Sequence, residues 1–497
     1  MEVTPIGVLC LLAVAIVVAR PFSFGMLIVA GFIPLQAAAA ANLWAVGGMS
    51  LICAHVLVGA LVAGVALRPR LAQGALQSGV SKSAVLILAL FVLYGAFSAF
   101  MFPRLFEGEV AVYSLERAAE GGISLSPLHP TTGNITQPFY MAINLFLFGV
   151  AAFILSSAGG LVRATHVVNT VTLVHLAFAI VSVAPYLPPN AILLDFIRTA
   201  NYAINDHHSL AGVPRLIGSY PEPAVFGSLS VGLFAWNFVR FMQTRGLWHF
   251  VAALMLLGCI ALSLSTTAYA TLIVMIGLWA LHSAYRAVRN GLEPGHVSAL
   301  LFGAAFAGIG ASLILIEPMQ AFSAEVFERL FGSKLQSSSG RERGAWAMQS
   351  FQNFVDTYGL GVGLGSARAS GLAAVLVGNV GVVGAILYLA FLNRSFLRPW
   401  PRAVANSAAR DQAYARRIFV AARAGAASLL ASQLISGGSV DAGLLFILFA
   451  AVATSAFPAS QRSGRAFDFG PGVGAALAPP RKSPFFTPPP RPSAGGA

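Results

Sequence analysis

The chain has 497 residues, of which 57% are hydrophobic and only 9% are charged, and its mean hydropathy is +0.78. This composition excludes a soluble fold, because repeated apolar runs of about 18 residues or more indicate helices that span hydrocarbon. The net charge of +13 does not indicate a nucleic-acid partner, because the basic residues lie mostly in short connections between apolar runs.

The apolar runs predict an all-α, polytopic membrane protein with about thirteen spans, in a range of about 11–14. In chain order the predicted spans are 3–19, 22–38, 44–66, 83–103, 138–156, 167–187, 223–240, 247–264, 268–285, 297–316, 370–393, 418–434 and 438–457. No basic segment precedes the first apolar run, so we interpret it as a span and not as a cleaved signal peptide.

Charge in the connections predicts the topology. One set of alternating connections is short and basic, with Arg20, Arg68, Arg163, Arg240, Arg245, Arg286, Arg394 and Arg417 among its members. The other set includes three long loops, 104–137, 189–222 and 317–369, which mix acids with bases. Arginine excess marks the cytoplasmic side, so the N-terminus and the long loops are expected in the periplasm. Residues 1–457 form the predicted membrane domain, and the Pro- and Arg-rich segment 458–497 is predicted to be a disordered cytoplasmic tail.

The loop 189–222 ends in a stiff turn, because Pro221 and Pro223 flank Glu222. A predicted span follows, so Glu222 is expected at a helix N-terminus on the membrane surface, where the helix dipole stabilises a carboxylate. Glu222 and Arg215 are therefore candidate catalytic residues. The alternative is that Glu222 is only a helix cap and Arg215 its surface partner. Further candidates for substrate contact in this loop are Arg198, His207, His208 and Tyr220.

The loop 317–369 carries Arg341 and Arg343 in front of an amphipathic stretch, 345–358, whose helical spacing predicts a helix lying along the membrane interface. A glycine run follows, with Gly361 and Gly363 near its centre. Backbone amides in such a run can hold phosphate oxygens. Flexible re-entry into the next span explains the run equally well.

Arginine binds phosphate oxygens through two parallel hydrogen bonds and keeps its charge in a partly desolvated site. Cations held beside a membrane therefore indicate an anionic substrate that comes from the membrane. A genomic bias towards arginine would also give more arginine than lysine, but it does not explain the positions of Arg215 and Arg341. No metal site is expected, because the adjacent side chains of 206–208 rarely converge on one ion, and the sequence indicates no other cofactor.

Two motifs resemble the bacterial O-antigen ligase and polymerase superfamily. The first is Arg-x-x-Gly-x-x-x-x-Pro before a span, and the second is Ser-Gly-Arg, four residues, Trp, and then Gly-x-Gly-x-Gly. The matching residues are Arg215, Gly218, Pro223, Gly340, Arg341, Trp346, Gly361, Gly363 and Gly365. The sequence of residues 218–223 most resembles that of the exopolysaccharide polymerase branch.

The resemblance implies an all-helical glycosyltransferase of the Gram-negative inner membrane, with an active site open to the periplasm and to lipid. Such an enzyme polymerises undecaprenyl-pyrophosphate-linked oligosaccharide units by metal-independent, inverting transfer. Arg215 and Arg341 would hold the pyrophosphate, with Arg343 and Arg198 as weaker candidates. Glu222 would act as the base, with His207 or His208 as the second choice. Membrane lipids, a polysaccharide co-polymerase and a flippase are the implied partners.

Two main alternatives remain open, and a third, a cell-wall polymerase of the shape-and-division type that uses the same kind of donor, has no specific signal in the sequence. The first is a ligase that moves lipid-linked glycan to lipid A-core or another acceptor. Ligases of the superfamily place a histidine shortly before the glycine run, and this chain has none between 317 and 369. The second is a flippase or transporter without chemistry, but the spans hold few ionisable residues, chiefly His55, His175 and Asp441.

Overall fold

A computed structural model describes residues 2–44, 48–68, 82–114, 124–157, 159–183, 187–201, 209–210, 213–291, 338–400 and 409–457. The described chain is mostly helical. Its helices are α1 (Pro5–Ala19), α2 (Met26–Phe32), α3 (Cys53–Ala66), α4 (Lys82–Leu105), α5 (Gly133–Leu155), α6 (Gly160–Val183), α7 (Pro188–Ile197), α8 (Pro223–Thr244), α9 (Leu247–Leu262), α10 (Thr266–Asn290), α11 (Ser338–Asp356), α12 (Leu372–Leu392), α13 (Ala409–Ser436) and α14 (Leu444–Ala456). Short π-helical segments, Pro21–Gly25 and Asn393–Leu397, adjoin α2 and α12.

Seven described helices are long and apolar enough to cross a membrane, namely α4, α5, α6, α8, α10, α12 and α13. Five shorter apolar segments, formed by α1, α2 with its π-helical start, α3, α9 and α14, coincide with further predicted spans. A multi-pass helical membrane protein is therefore confirmed as the architecture. The predicted span 297–316 and the tail 458–497 lie outside the described residues, so the count of thirteen stays a prediction.

Short antiparallel strands, which the sequence did not indicate, occupy the connections. The first sheet is β1 (Glu2–Val3), β2 (Ala39–Leu43) and β3 (Met49–Ile52), the second is β4 (Ala111–Tyr113) and β5 (Leu125–Pro127), and the third is β6 (Ser209–Leu210) and β7 (Val213–Pro214). Hydrogen bonds give these strands partners for backbone groups that no helix satisfies.

The bundle has two chemically different ends. We call the first the loop end: it carries the three sheets, α7, α11 and the connections 359–371 and 437–443. The amide of Gly371 donates to the carbonyl of Gly437 there, at 2.8 Å. We call the opposite end the basic end, because its connections are short and rich in arginine, whereas the loop end mixes acids with bases. Arg68, for example, donates to the carbonyls of Val18 and Ala19 and so satisfies the C-terminus of α1.

The helix α12 is broken inside its apolar length. Gly381 has φ 61° and ψ −160°, which are not helical angles, and the break frees backbone groups that lipid cannot satisfy. The glycine run satisfies them instead. The amide of Val362 donates to the carbonyl of Gly378 at 2.9 Å, and the amide of Gly363 donates to that of Asn379 at 2.9 Å.

This pairing explains the glycines without a ligand. Gly361 has φ 81°, and a Cβ there would lie 2.8 Å from the backbone carbonyl of Asn379. The amide of Gly361 donates to Oγ1 of Thr357 at 2.9 Å. The amides of Gly361 and Gly363 thus have protein acceptors and are not available to phosphate oxygens. These glycines allow two backbones to approach closely, and the substrate contact that we predicted for them stays a prediction.

Replacing Gly361 with alanine should destabilise the fold. Positive φ alone costs a non-glycine residue roughly 1–3 kcal/mol, and the Cβ would also displace the broken helix. Thermal unfolding of the purified protein in nanodiscs measures the effect. Gly344→Ala is the matched control, because Gly344 lies inside α11 with open space around it and alanine favours a helix. A Gly361→Ala protein as stable as Gly344→Ala would contradict this account.

Candidate active site

The loop that carries Arg215 and Glu222 is held by hydrogen bonds to two other segments of the chain. Oγ of Ser219 donates to the carbonyl of Pro34 at 2.8 Å. Nη2 of Arg198 donates to the carbonyl of Gly218 at 2.8 Å, where the backbone has φ 59°. Arg198 therefore positions the loop, which is a different role from the substrate contact that we predicted for it.

The side chain of Tyr220, which belongs to this loop, is fully buried. Its hydroxyl lies 2.7 Å from Nδ1 of His175, and Nε2 of His175 lies 2.8 Å from Oγ of Ser230. Because Ser230 donates its own proton to the carbonyl of Phe226, it accepts from Nε2–H of His175, and Tyr220 donates to Nδ1. The buried hydroxyl of Tyr220 thus holds the loop, and the substrate contact that we predicted for this residue stays a prediction. His175 is a packed, fully hydrogen-bonded helix residue, and the chain Tyr220–His175–Ser230 ties the loop to α6 and α8.

Arg215 has a structural role that the sequence did not reveal. Its Nε donates to the carbonyl of Ser263 at 3.3 Å, and its Nη2 donates to the carbonyl of Leu264 at 3.0 Å. These carbonyls follow the C-terminus of α9, which lacks helical partners and attracts positive charge. Burial lowers the pKa of the Arg215 guanidinium, Glu222 and Tyr269 raise it, and Arg343 lowers it. The guanidinium therefore lies within electrostatic reach of all three groups.

Glu222 is the N-cap residue of α8, as the sequence predicted, with extended backbone angles. Its carboxylate makes no capping hydrogen bond to the first turn, so the alternative of a simple side-chain cap does not describe it. The carboxylate is partly exposed and acts on the charge of Arg215. A carboxylate in this position can accept a proton.

Arg343, and not Arg341, is the second cation near Arg215. We expected both arginines before a helix, but α11 starts at Ser338 and contains them, in keeping with the good helix propensity of arginine. Residues two apart on an α-helix point about 200° apart around its axis. Arg343 is partly buried and interacts with Arg215, whereas Arg341 is exposed. Arg343 is therefore the better partner for Arg215, and the phosphate-binding role predicted for Arg341 stays a prediction.

Other predicted site residues lie elsewhere. His207 and His208 are outside the described residues. Trp346 is 9% exposed, and Cζ of Arg368 lies 4.6 Å from the centre of its ring. Sequence reasoning missed Arg368, although this arginine lies shortly after the glycine run.

We call Arg215, Glu222, Tyr269 and Arg343 together the Arg215 site.

An apolar groove lies further along α8 and α10, the two helices that begin at the Arg215 site. It lies between α8, α10 and α13 and has a volume of about 100 Å³, with Phe234, Phe238 and Trp279 among its lining residues. Tyr269 and Trp279 are ten residues apart on α10, which corresponds to about 15 Å along a helix axis. A polar, cationic cluster and an apolar groove thus follow each other along the same helices.

A second polar cluster lies at the loop end, around Asp441. Its Oδ1 accepts from Nδ2 of Asn144 at 2.5 Å and from the amide of Gly443 at 2.6 Å. Burial raises the pKa of Asp441, and these two hydrogen bonds oppose the rise. No ion pair to a described cation compensates this carboxylate, so it stabilises the folded protein most when it is protonated.

No protein-family model matches the chain, and no curated protein matches it significantly. The resemblance to the O-antigen ligase and polymerase superfamily therefore rests on the sequence motifs alone. Within those motifs, the glycines serve packing, whereas Arg215 and the segment around Arg341 contribute to one cationic cluster.

Asp441→Asn should change how stability depends on pH. The folded pKa is raised, so the carboxyl group contributes stability that is complete below its unfolded value of about 4 and is lost as the pH rises through the folded value. Asparagine keeps Oδ1 as an acceptor and removes the titration. We expect Asp441→Asn to be at least as stable as the wild type at neutral pH.

Thermal midpoints measured between about pH 4 and pH 7 should fall with rising pH less steeply for Asp441→Asn than for the wild type. Asp356→Asn, at an exposed acid of the same end, is the control and should keep the wild-type slope. An unchanged slope in Asp441→Asn would show that this carboxyl group does not titrate differently in the folded protein.

Proposed function

We propose that the protein is a membrane glycosyltransferase that polymerises lipid-pyrophosphate-linked oligosaccharide units, as the resemblance implies. The observation that carries this proposal is the Arg215 site. Two guanidinium groups from separate segments lie within electrostatic reach of each other, next to a carboxylate and above an apolar groove. Like charges repel, so an anion between Arg215 and Arg343 would be stabilised by both.

The groove supports a lipid-linked donor. A diphosphate on an isoprenoid chain needs cations at the membrane boundary and apolar side chains below them. The described part of α8 and α10 offers both in this order, with Glu222 and Tyr269 above Phe234 and Trp279. A free sugar phosphate has no apolar chain that could occupy the groove.

The proposed reaction depends on stabilising the negative charge that develops on the leaving diphosphate. The acceptor hydroxyl attacks the anomeric carbon, Glu222 accepts the hydroxyl proton, and the bond from the anomeric carbon to the pyrophosphate oxygen breaks. Negative charge grows on the leaving diphosphate, so cations already aimed at it stabilise the transition state more than the ground state. A single displacement inverts the anomeric configuration. In this proposal the loop end faces the periplasm of a Gram-negative bacterium and the basic end faces the cytoplasm.

Arg343→Ala should abolish polymer formation in cells while the protein level stays normal, because Arg343 is partly exposed and no described hydrogen bond of the fold depends on it. Loss of one such donor costs on the order of 3 kcal/mol in the transition state, which is more than a hundredfold in rate. Polymer length ladders on gels measure the effect, and a ladder also separates a polymerase from a ligase.

Arg341→Ala is the matched control, since it removes the same charge from the same helix on a different side. It should leave most of the polymer. Arg215→Ala is a less specific test, because this side chain also caps α9. Wild-type polymer from Arg343→Ala, or equal losses from both variants, would contradict the assignment.

A further inference from the structure

A buried arginine at the basic end lacks a counter-charge among the described residues. Arg240, on α8, is 4% exposed. Its Nη1 donates to Oε1 of Gln243 at 3.2 Å, and its Nε has no hydrogen-bond partner in the described part of the chain. A buried cation with a neutral amide as its acceptor is costly unless a negative charge lies nearby.

A second helix, α13, also contributes neighbours of Arg240. Arg417, on α13, is exposed and repels the charge of Arg240, and its backbone carbonyl accepts from Nε2 of Gln243 at 3.1 Å. The ring of Tyr414 lies 5.9 Å from Cζ of Arg240. We call Arg240, Gln243, Tyr414 and Arg417 the Arg240 site. It joins α8 to α13 where both helices leave the apolar layer.

The described acids cannot neutralise this site, because they all lie at the other end. They are Glu2, Glu107, Glu109, Asp195, Glu222, Glu342, Asp356 and Asp441. Asp411, in the first turn of α13, is an acid that the sequence places near the basic end of these helices, and its side chain lies outside the description. The charge of Arg240 therefore needs a negative partner, which is either an acid outside the described side chains, such as Asp411, or an external anion.

We propose that the Arg240 site binds the phosphate group of an anionic ligand, held between Arg240 and Arg417. A guanidinium presents paired N–H donors that match phosphate oxygens. The hydroxyl of Tyr414 lies 3.5 Å from Oγ1 of Thr165, which adds a polar wall from α6. At a basic membrane boundary the most abundant phosphate is a phospholipid headgroup, and each nearby arginine contributes about 1 kcal/mol to such binding. The bound lipid would join α8 to α13.

The test uses the full-length protein in detergent, titrated with phosphatidylglycerol, phosphatidylcholine or inorganic phosphate. Thermal midpoint and native mass spectrometry report binding. Arg417→Gln should weaken phosphatidylglycerol binding roughly fivefold or more, because one of the two cations is lost. Arg416→Gln is the matched control: it removes the same charge from the adjacent exposed position and should bind like the wild type.

Each outcome decides the proposal. Stabilisation by phosphatidylglycerol that Arg417→Gln loses and Arg416→Gln keeps supports a lipid headgroup. The same pattern with inorganic phosphate supports the site and assigns a free anion to it. Equal effects of both substitutions overturn the proposal, because they indicate general surface charge. If Asp411→Asn lowers the lipid-free midpoint as much as Arg240→Gln does, Asp411 is the internal partner of Arg240, and the proposal is also overturned.

Discussion

The backbone pairing between the broken helix α12 and the glycine run is the constraint on which the loop end depends. Lipid offers no hydrogen bonds, so a helix can break at Gly381 only if protein groups replace the missing ones. The amides of Val362 and Gly363 and the carbonyl of Gly359 provide them: the carbonyl accepts from the amide of Val382 at 2.9 Å. The run therefore has one position relative to α12.

The position of the glycine run also affects the segments next to it at the loop end. α11 ends at Asp356, three residues before the run, so the start of the run also limits where α11 lies. Arg343, on this helix, acts electrostatically on Arg215. Arg215 in turn is held by the C-terminal carbonyls of α9. Backbone hydrogen bonds thus hold Arg215 and the segment that follows α11, and the glycines of the run contribute to this by allowing the close backbone approach.

Hydropathy predicted the positions of the described spans, because the bilayer demands apolar length and little else. The prolines around Glu222 predicted the start of α8 correctly, since a proline-flanked residue before an apolar run suits an N-cap. The choice between Arg341 and Arg343 could not be predicted, because it depends on the phase of α11 and hence on a start at Ser338. The partner of the glycine run could not be predicted either, since a run of alternating glycines serves a phosphate or a second backbone equally well.

The most direct measurement is an experimental structure of the protein with a bound lipid-linked diphosphate. The proposed mechanism places the phosphate oxygens about 2.7–2.9 Å from guanidinium nitrogens of Arg343 and Arg215, with the lipid chain in the groove between α8, α10 and α13. Diphosphate density on the amides of 361–365, or away from both arginines, would contradict it.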